Sequence, residues 1–245
     1  MKETLSLSAT AVDALQLALF LKNLEVSLFS SAANSSDNAM FLAPGLTRLT
    51  TNISQQEQTQ HTALQAMLRR TGGADIPPCQ YTFPDNATDL LFLMHALKVI
   101  EVGVHLSVAD LLSPTDATID TLLSSIASVA AGQDALLRAA NNSSTSLASF
   151  DTPLSDVWAY NLALGFTQPG SCTRELPIPI LLVLSLNNKT AEFARAGEKI
   201  TLGWDIAAGA ALSRSGKLLF IGWVNQVNAP VYTPLSPVGD AMGGY

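Results

Sequence analysis

The chain has 245 residues, of which 48% are hydrophobic and 13% charged, and a formal net charge of −7. So little charge and so much apolar material exclude a disordered chain and suffice for a large core. No Lys/Arg cluster occurs anywhere, which removes the electrostatic basis for binding nucleic acid or an anionic membrane surface.

The first helix is expected from about Ala9 to Ala33. Leu15, Ala18, Lys22, Glu25 and Phe29 form its stripe. Within it, Val12–Leu21 is the longest apolar-looking run, and Asp13 and Gln16 interrupt it. No transmembrane span is therefore expected. The run also lacks a small-x-small cleavage site and has Glu3 behind Lys2, so it reads as a helix of the mature fold rather than a signal peptide. The second helix is expected from about Gly45 to Arg70, with Leu46, Leu49, Ile53, Glu57, Gln60, Leu64 and Leu68 in line. Arg69-Arg70 and then Gly72-Gly73 close it.

The third helix should start after Asn86 or Thr88, either a good N-cap, and run to about Leu112. Leu90, Met94, Leu97, Glu101, Val104, Val108 and Leu111 make its stripe, and Ser113-Pro114 ends it. The fourth, from about Asp116 to Ala140, aligns Ile119, Leu122, Ile126, Ala130, Gln133 and Leu137. Four such helices predict a bundle of two helix hairpins over residues 1–145. After Asn141-Asn142-Ser143-Ser144 the character changes. A short helix (154–164) precedes strand-like runs at 178–186, 199–206 and 217–227, and 229–245 reads as irregular. Residues 146–245 are thus expected to be a β-rich C-terminal extension packed on the bundle.

Cys79 and Cys172 both lie in Pro/Gly-rich loop sequence. Either they are two free thiols, or they form a disulfide that staples the helical part to the tail. Such a bridge would be worth about 4 kcal/mol in the chain-entropy model. Asn34, Asn52, Asn86, Asn141, Asn142 and Asn188 stand in glycosylation acceptor patterns, a weak pointer to secretion in a chain rich in Asn, Ser and Thr. A secreted or cell-surface location is the expectation, with cytoplasmic as the alternative.

Each helix sets polar residues into its stripe near mid-length: Lys22/Glu25, Glu57/Gln60, Glu101 and Gln133. Buried polar groups are costly unless paired, so four at one level imply a shared polar layer. Carboxylate-bridged dimetal bundles have such a layer.

Several segments resemble the ferritin-like proteins of fungi, which have desiccation- and stress-related relatives and a group that includes mushroom chromoproteins. These segments are Leu-Lys-Asn-Leu-Glu (21–25), Glu-Gln-Thr-Gln-His-Thr-Ala-Leu (57–64), Pro-Cys-Gln-Tyr-Thr-Phe (78–83), Glu-Val-Gly-Val (101–104), Gly-Gln-Asp-Ala-Leu-Leu-Arg (132–138) and Phe-Asp-Thr-Pro-Leu-Ser (150–155). The resemblance implies a mainly α fold, a ferritin-like four-helix bundle with the β-rich extension appended.

Set against the family pattern, the departures matter more than the matches. Lys22 stands where the first helix would carry a Glu. Gln60 replaces the histidine of Glu-x-x-His, and His61 falls one residue late, turned by roughly 100° around the helix. The Glu of the third helix falls at Ile100 or Glu101. In the fourth, Ala130-x-x-Gln133 replaces Glu-x-x-His. No diiron centre is therefore expected, because iron needs several well-aimed anionic and imidazole ligands. Any single ion would use Glu57 or the Glu101/His105 pair.

Two readings of the bundle interior remain. In one the polar layer only repairs the core, Lys22 pairing with Glu25 or Glu57. In the other, the leading expectation, an apolar small molecule such as a pigment binds inside the bundle. Lys22, Glu25, Phe29, Glu57, Gln60, Met94, Leu97, Glu101 and Gln133 would line that site, and Lys22 would be its anchor. No nucleophile–base–acid set is recognisable, and His61, His95 and His105 sit in helical patterns. A non-enzymatic protein is expected, with a dimetal oxidase or metal-binding protein and a ligand-free stress-related protein as alternatives. The expected partners are a small apolar ligand and, left open, a second copy of the chain.

Overall fold

The computed structural model describes residues 7–34, 44–112, 116–141, 148–182, 184–186, 200–204, 218–224 and 227–236. The chain falls into two compact units, Met1–Ile178 and Pro179–Tyr245. The first holds α1 (Ala9–Asn34), α2 (Pro44–Arg70), α3 (Ala87–Ala109), α4 (Ala117–Ala140) and the short α5 (Asp156–Leu164). The boundary expected at residue 145 falls inside this unit, because α5 packs on α1 and α3.

The helices start and stop where short-range chemistry tells them to. Asn86 caps α3, its side chain accepting from the Asp89 backbone N–H, and Ser155 caps α5 by accepting from Trp158. Asn86 is thereby a capping residue within its acceptor pattern. Gly72, at φ +72°, closes α2 in the left-handed region that glycine enters freely. The start of α1 is tied to the start of α4: Ser8 donates through its backbone N–H and hydroxyl to the Asp116 carboxylate at 3.1 and 2.7 Å.

α1 is buried on nearly every side, from Ala11 and Leu15 through Leu19, Leu24 and Leu28 to Ala32. It is apolar all round because α2, α3 and α5 surround it. α3 is so apolar that Thr88–Ala109 is long enough and hydrophobic enough, by length and composition, to cross a membrane. No such segment was expected, because Lys98, Glu101 and two histidines break the apolar run. In the fold, Leu90, Met94, Leu97 and Val104 of this helix belong to the bundle core.

Cys79 and Cys172 form a disulfide across a sequence separation of 93. Both lie in the first unit, and Cys172 belongs to the segment after residue 145, so the bridge staples the helical part to that segment as the disulfide alternative expected. It joins the α2–α3 connection to the segment after α5. These two segments also share backbone bonds, Thr82 N–H to Phe166 O at 2.9 Å and Gln168 N–H to Gln80 O at 2.8 Å.

In the second unit β1 (Ser185–Leu186) pairs antiparallel with β2 (Leu202–Gly203), and β3 (Phe220–Trp223) with β4 (Val231–Pro234). The strand expected over 178–186 shrinks to its last two residues, since Pro177 and Pro179 have no N–H to give a ladder. The stretch from Ala229, expected to be irregular, contains β4. Val231, Tyr232 and Thr233 are strand formers, and the register Trp223↔Val231 satisfies their backbone. Lys199, Lys217, Asn142, Asn188, Ser113 and Pro114 lie outside the described residues.

Candidate functional site

Midway along the bundle, α1, α2 and α3 bring five ionisable side chains together in the buried core. Lys22 and Glu25 come from α1, Glu57 from α2, and Lys98 and Glu101 from α3. All are 4% exposed or less. The two lysine-bearing helices repeat one spacing, Lys22-x-x-Glu25 and Lys98-x-x-Glu101, which sets each ammonium beside a carboxylate one turn away.

The connectivity is specific. Glu25 places Oε2 against Lys22 Nζ at 2.6 Å and Oε1 against Lys98 Nζ at 2.9 Å. Glu57 likewise gives Oε2 to Lys22 and Oε1 to Lys98, the latter at 2.9 Å. Glu101 gives Oε1 to Lys22 and Oε2 to Lys98, the latter at 2.9 Å. Each carboxylate therefore bridges the two ammonium groups. Lys22 donates its hydrogen bonds to Glu57, Glu101 and the Gln60 side-chain carbonyl, the last at 2.9 Å. That uses all three N–H groups. Glu25 Oε2 is left touching the same nitrogen without a hydrogen bond of its own. Phe29 covers Lys98, whose Nζ lies 5.4 Å from the ring centroid, a cation–π contact.

Formal charge on the cage is two cations against three anions, and burial makes any imbalance expensive. The protonation pattern reduces the imbalance. Burial, and then the neighbouring Glu101, push the Glu25 carboxyl up to about 8. Burial also pushes Glu101 and Glu57 upward, but Lys22 and Lys98 more than offset it, so both end below the usual carboxylate range. Burial pulls the two lysines down, and the three glutamates overcome it, so both are held above the ordinary lysine value. The upward shift of Glu25 moves the cage toward charge balance, two ammonium groups against two carboxylates.

The other expected site residues distribute differently. Met94 and Leu97 are core, 0% and 3% exposed. Gln133 is buried but turns to Gln56, donating to its Oε1 at 2.9 Å. Ala130 is buried. His61 meets Asn23 Oδ1 of α1 at 2.9 Å, and Asn23 in turn donates to Ile76 O of the α2–α3 connection. His95 pairs with Asp134 of α4. His105 is 7% exposed with Nδ1 unpartnered, and burial lowers it to about 4, so it is neutral. Lys98 was missed by the sequence reading, although Lys-x-x-Glu occurring on both the first and third helices was the signal for it.

Four long helices with a carboxylate layer at mid-length carry the architecture of a ferritin-like bundle. The model of the ferritin-like domain family matches residues 10–143. This chain belongs to the ferritin-like family. No curated protein matches it.

A ferritin-like bundle implies a dimetal pair, and the donor set decides whether one fits. Glu25, Glu57 and Glu101 bring one oxygen each within 4.8 Å of one another, close enough to share a cation. The cations they share are Lys22 and Lys98. A protonated amine offers no lone pair to a metal, and Gln60, Ala130 and Gln133 supply neither carboxylate nor imidazole. The residues present do not fit a dimetal centre.

Proposed function

We propose that this ferritin-like protein is a non-enzymatic, metal-independent bundle in which two lysine ammonium groups bridge the helices as a metal pair would. One observation carries the reading: each of three buried carboxylates spends one oxygen on Lys22 and the other on Lys98. An oxidase needs open coordination positions and redox-active metal, and this core provides a closed set of ion pairs. A structural, stress-related role is the biological setting we attach to it, in line with the fungal relatives that the sequence resembles. Secretion goes with it, in keeping with the Cys79–Cys172 bridge.

The same observation weighs against an apolar ligand or pigment held inside the bundle by Lys22. All three N–H groups of that amine are engaged, and Phe29, Met94 and Leu97 pack as core. The test is metal analysis of the purified protein with oxygen uptake on adding ferrous iron. We expect less than about 0.2 metal per chain, no oxygen consumption, and a melting temperature that a chelator leaves unchanged. Two equivalents of bound metal, or prompt oxygen uptake, would overturn the reading.

A further inference from the structure

On the flank of the first unit a groove of ≈ 300 Å³ opens between the first turns of α1, the last turns of α3 and the start of α5. Its floor is apolar and buried: Ala14 and Leu17 from α1, Val108 from α3 and Leu176 are 8% exposed or less. Leu111 and Ile178 raise apolar walls, Leu111 being 65% exposed. Two charged side chains stand among the lining residues, Asp13 of α1 and Asp156 of α5, both exposed carboxylates. None of the lining residues is basic.

We infer that this groove is a binding site for an amphipathic cation, an apolar chain or ring system carrying a protonated amine. The volume lies at the lower end of small-molecule sites, and an apolar floor with a few polar groups is their usual composition. The apolar part of the ligand covers Leu17 and Val108 and removes Leu111 from water. The ammonium head sits between Asp13 and Asp156, where no neighbouring lysine or arginine in the lining opposes it. An anionic amphiphile of the same length meets two like charges and is rejected. The site is separate from the lysine–glutamate cage, so metal analysis neither supports nor removes it.

Calorimetric titration of the full chain with decylammonium and with decanoate, each below its micelle concentration, tests this. The first should bind saturably at about one per chain, and decanoate at least about tenfold more weakly, since one like-for-opposite charge exchange is worth about that factor. Asp13→Asn with Asp156→Asn should weaken the cation about tenfold or more while keeping the helical circular dichroism. Asp75→Asn with Asp85→Asn changes net charge equally at exposed residues outside the groove, and should shift affinity less than about twofold. Equal binding of decanoate, no saturable binding, or equal weakening by the control pair would each overturn the proposal.

Discussion

Glu25 is the residue on which the cage's charge balance turns. It touches both ammonium groups, yet Lys22 spends its hydrogen bonds elsewhere. With its pKa at about 8 it stays protonated through neutrality, whereas the unfolded carboxyl titrates near 4.5. From pH 4.5 to about 8 the native state holds a proton that the unfolded chain has lost, so stability from Glu25 falls as pH rises through that window. His105 works the other way. Its native value of about 4 against 6.5 means that stability from this group is lost as pH falls across that range. Glu25→Gln copies the protonated acid, so it should cost less than about 1 kcal/mol near neutrality. It should also lose less melting temperature than the parent protein on going from about pH 6 to about pH 8.5. Glu101→Gln removes the neighbouring charge that raises Glu25, so Glu25 should ionise more readily in its place, and the loss of melting temperature between about pH 6 and about pH 8.5 should shrink. An unchanged pH dependence in both variants would show that Glu25 does not carry the proton.

At the scale of the helices, two glycines make opposite predictions. Gly103 lies in α3 where the chain after α4 crosses it. Leu154 N–H donates to Gly103 O at 2.9 Å, and a Cβ at Gly103 would meet Thr152 O at 2.6 Å. The close approach of two backbones needs that hydrogen. Gly103→Ala should therefore destabilise by about 1–3 kcal/mol through displacement of residues 152–154. Gly132 of α4 has nothing within 4 Å of an added Cβ. There Ala should stabilise by about 1 kcal/mol, because glycine is the poorer helix former. Denaturant midpoints of the two variants, measured side by side, check both signs.

For the molecule as a whole, the Cys79–Cys172 bridge fixes the long α2–α3 connection to the segment that follows α5. Closing a loop of 93 residues restricts the unfolded chain, and the bridge should contribute about 4 kcal/mol. Replacing both cysteines with serine should lower the melting temperature of the bundle by that equivalent. Thiol titration of the unreduced, denatured protein should find no free thiol among them. Two reactive thiols would remove the bridge and the argument for an oxidising location along with it.

The sequence by itself determined the helices, the ferritin-like frame and the level of the polar layer. Apolar spacing at 3.6 residues, caps such as Asn86 and breakers such as Gly72 are local signals, and a helix obeys them before it meets a neighbour. It did not determine the short strands, because pairing depends on a partner segment rather than on the run itself; β4 formed where only an irregular stretch was legible. Nor did it expose Lys98, which lies three residues before Glu101 and so about 60° off the stripe that was followed. In the fold that arc still faces the interior, since α1 and α4 enclose α3 widely. Only the tertiary structure decided that Lys22 and Lys98 meet the same three carboxylates. Charge balance in a buried core depends on distances between three helices, and no spacing along one helix contains them.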